Sequence, residues 1–108
     1  MVSQGCTDDG TVVRVSGDVD IATAPGLQRQ LLGLIETDHR VVIDLADVEF
    51  MDCSGLGVLL TCQQRAVTVG AVLVLRRPSH RVTRLLELTA LKPQFTIEAT
   101  PLPFPAQR

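Results

Sequence analysis

The feature of this sequence that most constrains its fold is an apolar run at residues 41–45, followed after a short motif by a helical apolar pattern over 56–69. A nearly continuous apolar run of this length is typical of a central strand that is covered on both faces. The same pairing occurs earlier, where valines within 12–15 precede leucines and an isoleucine at helical spacing over 27–35. Strand and helix patterns that alternate in this way are typical of an α/β domain.

The rest of the chain continues this alternation. The apolar residues at 71–75 predict a further strand, Ser79 can cap a third helix, and residues 95–97 predict a last short strand. Residues 2–6 are a candidate antiparallel edge strand. Because strand-helix-strand connections bring strands side by side in parallel, we predict a mostly parallel four- to five-stranded sheet with alternating helices.

Turn and cap residues set the expected boundaries. The pair Gly17-Asp18 is expected to end the first long strand, and Thr23 can cap the first helix, with Pro25 tolerated in its first turn. That helix is expected to end near Asp38. We assign residues 1–100 to one domain, and the prolines at 101, 103 and 105 predict a flexible tail over 101–108.

Composition excludes several classes of function. The chain has 108 residues, of which 45% are hydrophobic, and this length supports one core of modest size. A net charge of -2 argues against a nucleic-acid partner. No apolar stretch approaches the roughly 20 residues of a membrane-spanning helix, and the N-terminus lacks a signal-peptide pattern. We therefore expect a cytoplasmic protein without a membrane partner.

The cysteines and histidines indicate neither a disulfide framework nor a metal centre. The three cysteines form no Cys-x-x-Cys pair. Cys53 and Cys62 fall on or beside one predicted helix, roughly 13 Å apart along its axis, which is too far for a disulfide. His39 and His80 are far apart in sequence. We expect the cysteines to be small packing residues, and we predict no metal and no cofactor.

The motif Asp52-Cys53-Ser54-Gly55-Leu56-Gly57 places the hydroxyl of Ser54 where a predicted strand is followed by a predicted helix. If the helix begins near Ser54, its first amides lack intrahelical partners, and the positive end of the helix dipole tolerates a phosphate there. Ser54 is therefore a candidate for modification. The alternative is that Ser54 is only the N-cap of the helix.

Two motifs carry a resemblance to a known family. The segment Gly17-Asp18-Val19-Asp20, with Thr23-Ala24 after it, and the Asp52–Gly57 motif resemble the STAS family of anti-sigma factor antagonists over about residues 10–98. In that family the second motif reads Asp-Ser-Ser/Thr-Gly-Leu-Gly, and a partner kinase that is also an anti-sigma factor phosphorylates its second hydroxyl residue. Ser54 takes that position here. Asp18 replaces the usual glutamate and Cys53 the usual serine.

The resemblance implies the STAS fold and a function. The chain is expected to be an anti-sigma factor antagonist that binds an anti-sigma factor serine kinase and is switched off by phosphorylation at Ser54, thereby regulating sigma-factor-dependent transcription. A serine phosphatase is a further candidate partner. The alternative is a STAS signalling or scaffold module that senses a nucleotide or lipid without sigma-factor control.

The predicted partner-binding surface centres on the second helix. Its expected residues are Asp20, Asp52, Cys53, Ser54, Gly55, Gly57, Val58, Thr61 and Arg65. Three-and-four spacing puts Ser54, Gly57, Val58, Thr61 and Arg65 on an outward face, opposite an inward face that includes Leu59 and Val67. The alternative is an ordinary solvated face. Asp20 has two interpretations, a turn carboxylate or, by the family resemblance, a contact near Ser54.

An enzymatic role is disfavoured. Ser54 does not lie in a Gly-x-Ser-x-Gly elbow, neither histidine has an evident context as its base, and the chain has no phosphate-binding loop. A response-regulator receiver fits poorly, because the sole lysine, Lys92, precedes a proline near the end. The arginines at 76, 77, 81 and 84 are read as a solvated face rather than a phosphate site. We predict that the chain is not an enzyme.

Overall fold

The computed structural model describes residues 2–7 and 10–98. Its elements, in chain order, are β1 (Val2–Thr7), β2 (Gly10–Val19), α1 (Ala24–Thr37), β3 (Arg40–Met51), α2 (Cys53–Val69), β4 (Val72–Arg76), α3 (His80–Leu88), a short 3₁₀ turn (Lys92–Gln94) and β5 (Thr96–Glu98). The tail predicted at 101–108 lies outside the described residues.

The five strands form one sheet in the order β1-β2-β3-β4-β5. β1 runs antiparallel to β2, and each later pair is parallel. The predicted sheet is therefore confirmed, and the candidate edge strand at 2–6 is confirmed as β1. Apolar side chains from the strands and from all three helices form one buried core, in which Leu31, Ile43, Leu59 and Leu86 are fully buried.

Two strands are longer than predicted. β2 continues through Gly17 and Asp18 to Val19, because the irregularity there is a shift in register against β3 and not a strand end. Gly17 has a φ of +82°, a conformation that glycine adopts without strain. β3 likewise extends beyond residue 45 to Met51. As a result, a single residue, Asp52, separates β3 from α2.

The observed end of α1 and the cap of α3 agree with the prediction, whereas the predicted cap of α1 does not. α1 ends at Thr37, followed by Asp38, as expected. Ser79 caps α3, since its Oγ accepts a hydrogen bond from the Val82 N–H at 3.4 Å. Thr23 precedes α1 but makes no side-chain cap, because its backbone is helical rather than extended. The predicted Thr23 cap is therefore wrong.

Candidate functional site

The candidate site lies where β2 and β3 end side by side. Val19 and Met51 are paired across the two parallel strands, and the Asp52 N–H donates to the Val19 carbonyl at 3.3 Å. Asp20 and Asp52 are the next residues of their chains. Because parallel strands present their carboxyl ends at one edge, the two carboxylates belong to the same edge of the sheet.

Asp52 organises the start of α2. Its backbone is extended, and its Oδ1 accepts hydrogen bonds from the N–H of Ser54 at 2.8 Å and of Gly55 at 3.3 Å. Its carbonyl accepts the first intrahelical bond, from the Leu56 N–H at 3.1 Å. Asp52 is therefore the N-cap and Ser54 the second residue of the helix. The alternative that Ser54 itself caps the helix is wrong.

This cap changes what a phosphate at Ser54 would meet. Two amides at the start of α2 already donate to the Asp52 carboxylate, so they are not free to receive a second anion. The helix dipole still favours negative charge at this end. A phosphoryl group on Ser54, which is half-buried, would nevertheless stand next to a carboxylate.

Gly55 lets α2 approach the strand ends closely. A Cβ built at this position would lie 2.7 Å from Cγ of Met51 and 2.7 Å from Cγ1 of Val19, which is closer than carbon atoms can pack. Gly55 is buried, so the prediction that it lies on the partner-binding surface is wrong. Gly57 is exposed, with no heavy atom within 4 Å of such a Cβ.

Asp20 is a turn carboxylate. Its Oδ1 accepts hydrogen bonds from the N–H of Ala22 at 3.0 Å and of Thr23 at 3.1 Å, which confirms that interpretation. The turn presents Ile21, whose side chain is 78% exposed. Sequence reasoning missed Ile21, although an isoleucine inside a polar turn is itself a signal of an exposed apolar contact.

The outward face of α2 is only partly as predicted. Thr61 and Arg65 are exposed, but Val58 is 3% exposed and lies in the core, whereas Val67 is 69% exposed. The predicted positions of both valines are therefore wrong. α2 packs against α1 as well as against the sheet, so its buried sector is wider than one apolar stripe and includes Val58.

Arg65 is held in place by α1. Its Nε and one terminal nitrogen donate to the two carboxylate oxygens of Glu36 at 2.6 and 2.8 Å. The hydrogen bonds lower the pKa of Glu36 and raise that of Arg65. Both side chains are about half exposed, so the pair orders the Arg65 guanidinium at the surface rather than burying it.

The two described cysteine side chains differ in environment. Cys62 is buried, which confirms it as a packing residue. Cys53, the first residue of α2, is exposed, so the expectation that it is a packing residue is wrong. Burial raises the pKa of the Cys62 thiol to about 11. Both are free thiols. The thiol of Cys62 thus stays protonated and shielded at neutral pH.

The arginines near α3 fall into two pairs. Arg76 donates to Glu98 at 2.8 Å, and Arg77 forms an ion pair with the buried Asp44. Arg81 and Arg84 are exposed on α3. The four arginines therefore do not converge on one phosphate site. Over residues 2–7 and 10–98, no group of side chains could hold a metal ion, and no helix is long and apolar enough to cross a membrane.

Comparison with known proteins adds to this geometry. Residues 2–101 match the STAS domain family. An anti-sigma-B factor antagonist of Bacillus subtilis (strain 168) is 36% identical over 87 residues, which are 81% of this chain and 80% of that protein. An anti-sigma factor antagonist from Mycobacterium paratuberculosis has a TM-score of 0.77 at 29% identity, covering 91% of this chain and 84% of that one. The Bacillus cell fate determinant SpoIIAA in its phosphorylated form has a TM-score of 0.72 over 93% of each chain. Its identity is 18%, so it supports the fold alone.

Proposed function

The chain belongs to the STAS domain family, and on that basis we propose that it is an anti-sigma factor antagonist whose binding to an anti-sigma factor kinase is switched off by phosphorylation at Ser54. Relatives at 36% and 34% identity are named anti-sigma-B factor antagonists, which supports the regulatory role. A serine phosphatase is the second partner that this cycle requires.

The position of Ser54 is the observation that supports the proposal best. It is half-buried on the first turn of α2, two residues after the capping carboxylate, and at the edge where β2 and β3 end. Its side chain is not among those of the buried core. A kinase can therefore modify this hydroxyl without opening the core of the domain.

The proposed surface extends from Ser54 in two directions. On one side the β2–α1 turn contributes Asp20 and the exposed Ile21. On the other side the exposed face of α2 contributes Gly57, Thr61 and the Glu36-anchored Arg65. An exposed isoleucine and a half-buried serine near the same edge of the sheet, with polar groups around them, suit a protein interface with an apolar centre and a polar rim.

Phosphorylation would oppose binding through charge at this surface. A phosphoserine adds about -1.5 to -2 charges at neutral pH. The Asp52 carboxylate already accepts hydrogen bonds from the amides of Ser54 and Gly55, so the new charge adds to the existing one and these two amides are not free to bind it. A partner surface fitted to the unmodified serine would meet both a larger group and like charge.

Reconstitution with the kinase tests the modification. The kinase that co-purifies with the wild-type chain from its source cells is purified and incubated with the chain and ATP. Intact mass and peptide mapping should show one added phosphate on Ser54. It should be absent from Ser54→Ala and present in Thr61→Ala, which removes an exposed hydroxyl on the same helix. Phosphate on Thr61 or Ser79 would overturn the assignment.

Affinity and stability measurements test the switch. Phosphate at Ser54 should weaken kinase binding at least about tenfold, equivalent to ~1.4 kcal/mol, and Ser54→Asp should have a smaller effect because it adds one charge. The two forms should unfold within a few degrees of each other, because about 1 kcal/mol moves Tm by roughly 4–8 °C in a domain of this size. Unchanged affinity, or loss of the fold, would contradict the mechanism. Binding of a nucleotide or lipid without any kinase partner would favour the alternative function.

A further inference from the structure

A second surface, formed by the end of β3 and by α3, contains residues that the proposed Ser54 switch does not use. It is an open groove of about 500 Å³ between the end of β3 and α3, lined by Phe50, Met51, His80, Arg81, Arg84, Leu85 and Leu88. Phe50 is 43% exposed and Leu88 is 72% exposed. Apolar side chains at this level of exposure, next to each other, are characteristic of an interaction surface.

The groove follows one stripe of α3. Arg81, Arg84, Leu85 and Leu88 are separated by three or four residues, so they share one face of the helix. The stripe spans the eight residues 81–88, roughly 10 Å along the axis. That length matches two turns of a second helix laid against it.

The charge of the groove is not neutralised within the described part of the chain. Neither Arg81 nor Arg84 forms an ion pair there, and Glu87, the nearest acid on α3, pairs instead with Lys92 at 3.8 Å. By contrast, Arg76 and Arg77 are paired with Glu98 and Asp44. The unpaired guanidiniums therefore give the groove a positive rim above an apolar floor.

We propose that this α3 groove is a docking surface for an acidic amphipathic helix of a protein partner. Apolar side chains of that helix would cover Phe50, Leu85 and Leu88, and its carboxylates would accept hydrogen bonds from the guanidiniums of Arg81 and Arg84. Phe50 and Leu88 belong to the exposed apolar floor of this open groove and not to an enclosed cavity, so burying them requires a surface that covers them from above. A helix provides such a surface and a small ligand does not. The proposal stands whether or not Ser54 is a switch.

A synthetic peptide of about 18 residues, long enough for measurable helicity, is the probe. It has leucines at helical spacing, glutamates at most other positions and a single tryptophan. The chain has no tryptophan and no tyrosine, so the fluorescence signal reports the peptide alone. A second peptide with lysine in place of each glutamate tests the charge. Two-dimensional NMR of the protein amides locates the binding surface.

The acidic peptide should bind saturably and shift the amides of residues 50–51 and 80–88. Arg84→Glu should weaken binding by about tenfold or more, equivalent to ~1.4 kcal/mol, and Leu88→Ala should also weaken it. Arg29→Glu, an exposed arginine on α1 with the same change in net charge, is the matched control and should change affinity less than twofold. Because Arg84 and Leu88 are exposed, these variants should keep the wild-type Tm.

Three results would overturn the proposal. Equal binding by the lysine peptide, or equal loss in Arg29→Glu, would show that the groove does not select an acidic helix. Displacement of the peptide by decanoate or inorganic phosphate at lower concentration would assign the groove to a small anion. Concentration-dependent dimerisation that Arg84→Glu abolishes would assign it to a second copy of this chain.

Discussion

The carboxylate of Asp52 accepts a hydrogen bond from the backbone N–H of Ser54 at 2.8 Å. The residue proposed for phosphorylation is thus fixed in place by the residue two positions before it, through the backbone and not through its hydroxyl. Ser54→Ala therefore leaves the cap intact, which makes that variant a clean control for the switch.

Removing the cap should destabilise the domain without touching Ser54. Asp52→Ala removes the acceptor for two amides and should lower the free energy of unfolding by about 0.5–2 kcal/mol. Asp52→Asn keeps an oxygen acceptor and should stay close to wild type, since asparagine caps helices about as well as aspartate. Thermal and urea unfolding of both variants measure this. Equal losses in both would show that the charge, and not the cap, is what stabilises α2.

Two glycines on the same helix turn should respond oppositely to alanine. Gly55→Ala forces a Cβ to within 2.7 Å of Met51 and Val19 side chains, and it should cost about 1–3 kcal/mol of stability. Gly57→Ala meets nothing within 4 Å and should stabilise α2 by about 0.5–1 kcal/mol. Calorimetric Tm values distinguish the two. A Gly55→Ala protein as stable as Gly57→Ala would contradict the close packing of α2 on the strand ends.

Acid stability should depend on Asp44. Burial raises its pKa, but the hydrogen bonds from Arg77 and from the Ala46 N–H outweigh that effect and hold the pKa below its usual 3.8. Since the folded pKa is lower than the unfolded one, Asp44 stabilises the fold above pH 3.8, and this contribution is lost as the pH falls through the folded value.

Asp44→Asn is the variant that tests this contribution. Hydrogen bonds to charged groups are worth about 1.5–3 kcal/mol, so the variant should lose stability on that order at pH 7 and should show a shallower decline between pH 5 and about pH 2. Asp47→Asn, an exposed aspartate on the same strand, is the control. A pH profile for Asp44→Asn parallel to that of wild type would refute the assignment.

The cysteines should not act as a redox switch. In a Cys6→Ser background, Cys53 should be alkylated by iodoacetamide at once, because it is exposed, whereas Cys62 should react only after unfolding. With a thiol pKa of about 11, only about 1% of Cys62 is thiolate at pH 9. Peptide mapping gives the modified site. A tenfold change in kinase affinity on adding reductant, about 1.4 kcal/mol, would show that a thiol does control binding.

The order of strands and helices, the family and the place of Ser54 near the start of α2 could be predicted from the sequence alone. These features are encoded locally, because the period of the apolar residues, the cap residues and the motif are each contained in a few consecutive positions. The predicted positions of the strand ends were less accurate. An apolar pattern stops where burial stops, whereas β3 keeps its hydrogen bonds to β2 through its exposed residues up to Met51.

Packing between segments that are far apart in the sequence decided which side chains of the site are buried and which charges pair. Val58 is buried because α2 packs against α1 as well as against the sheet. Gly55 is buried because the side chains of Val19 and Met51 pack against it. Likewise, Arg65 and Arg77 form ion pairs with acidic residues 29 and 33 positions away in the sequence. Arg81 and Arg84 form no ion pair within the described residues. Helix periodicity orders residues around an axis, but only the neighbouring elements determine which sector is covered and which charges meet.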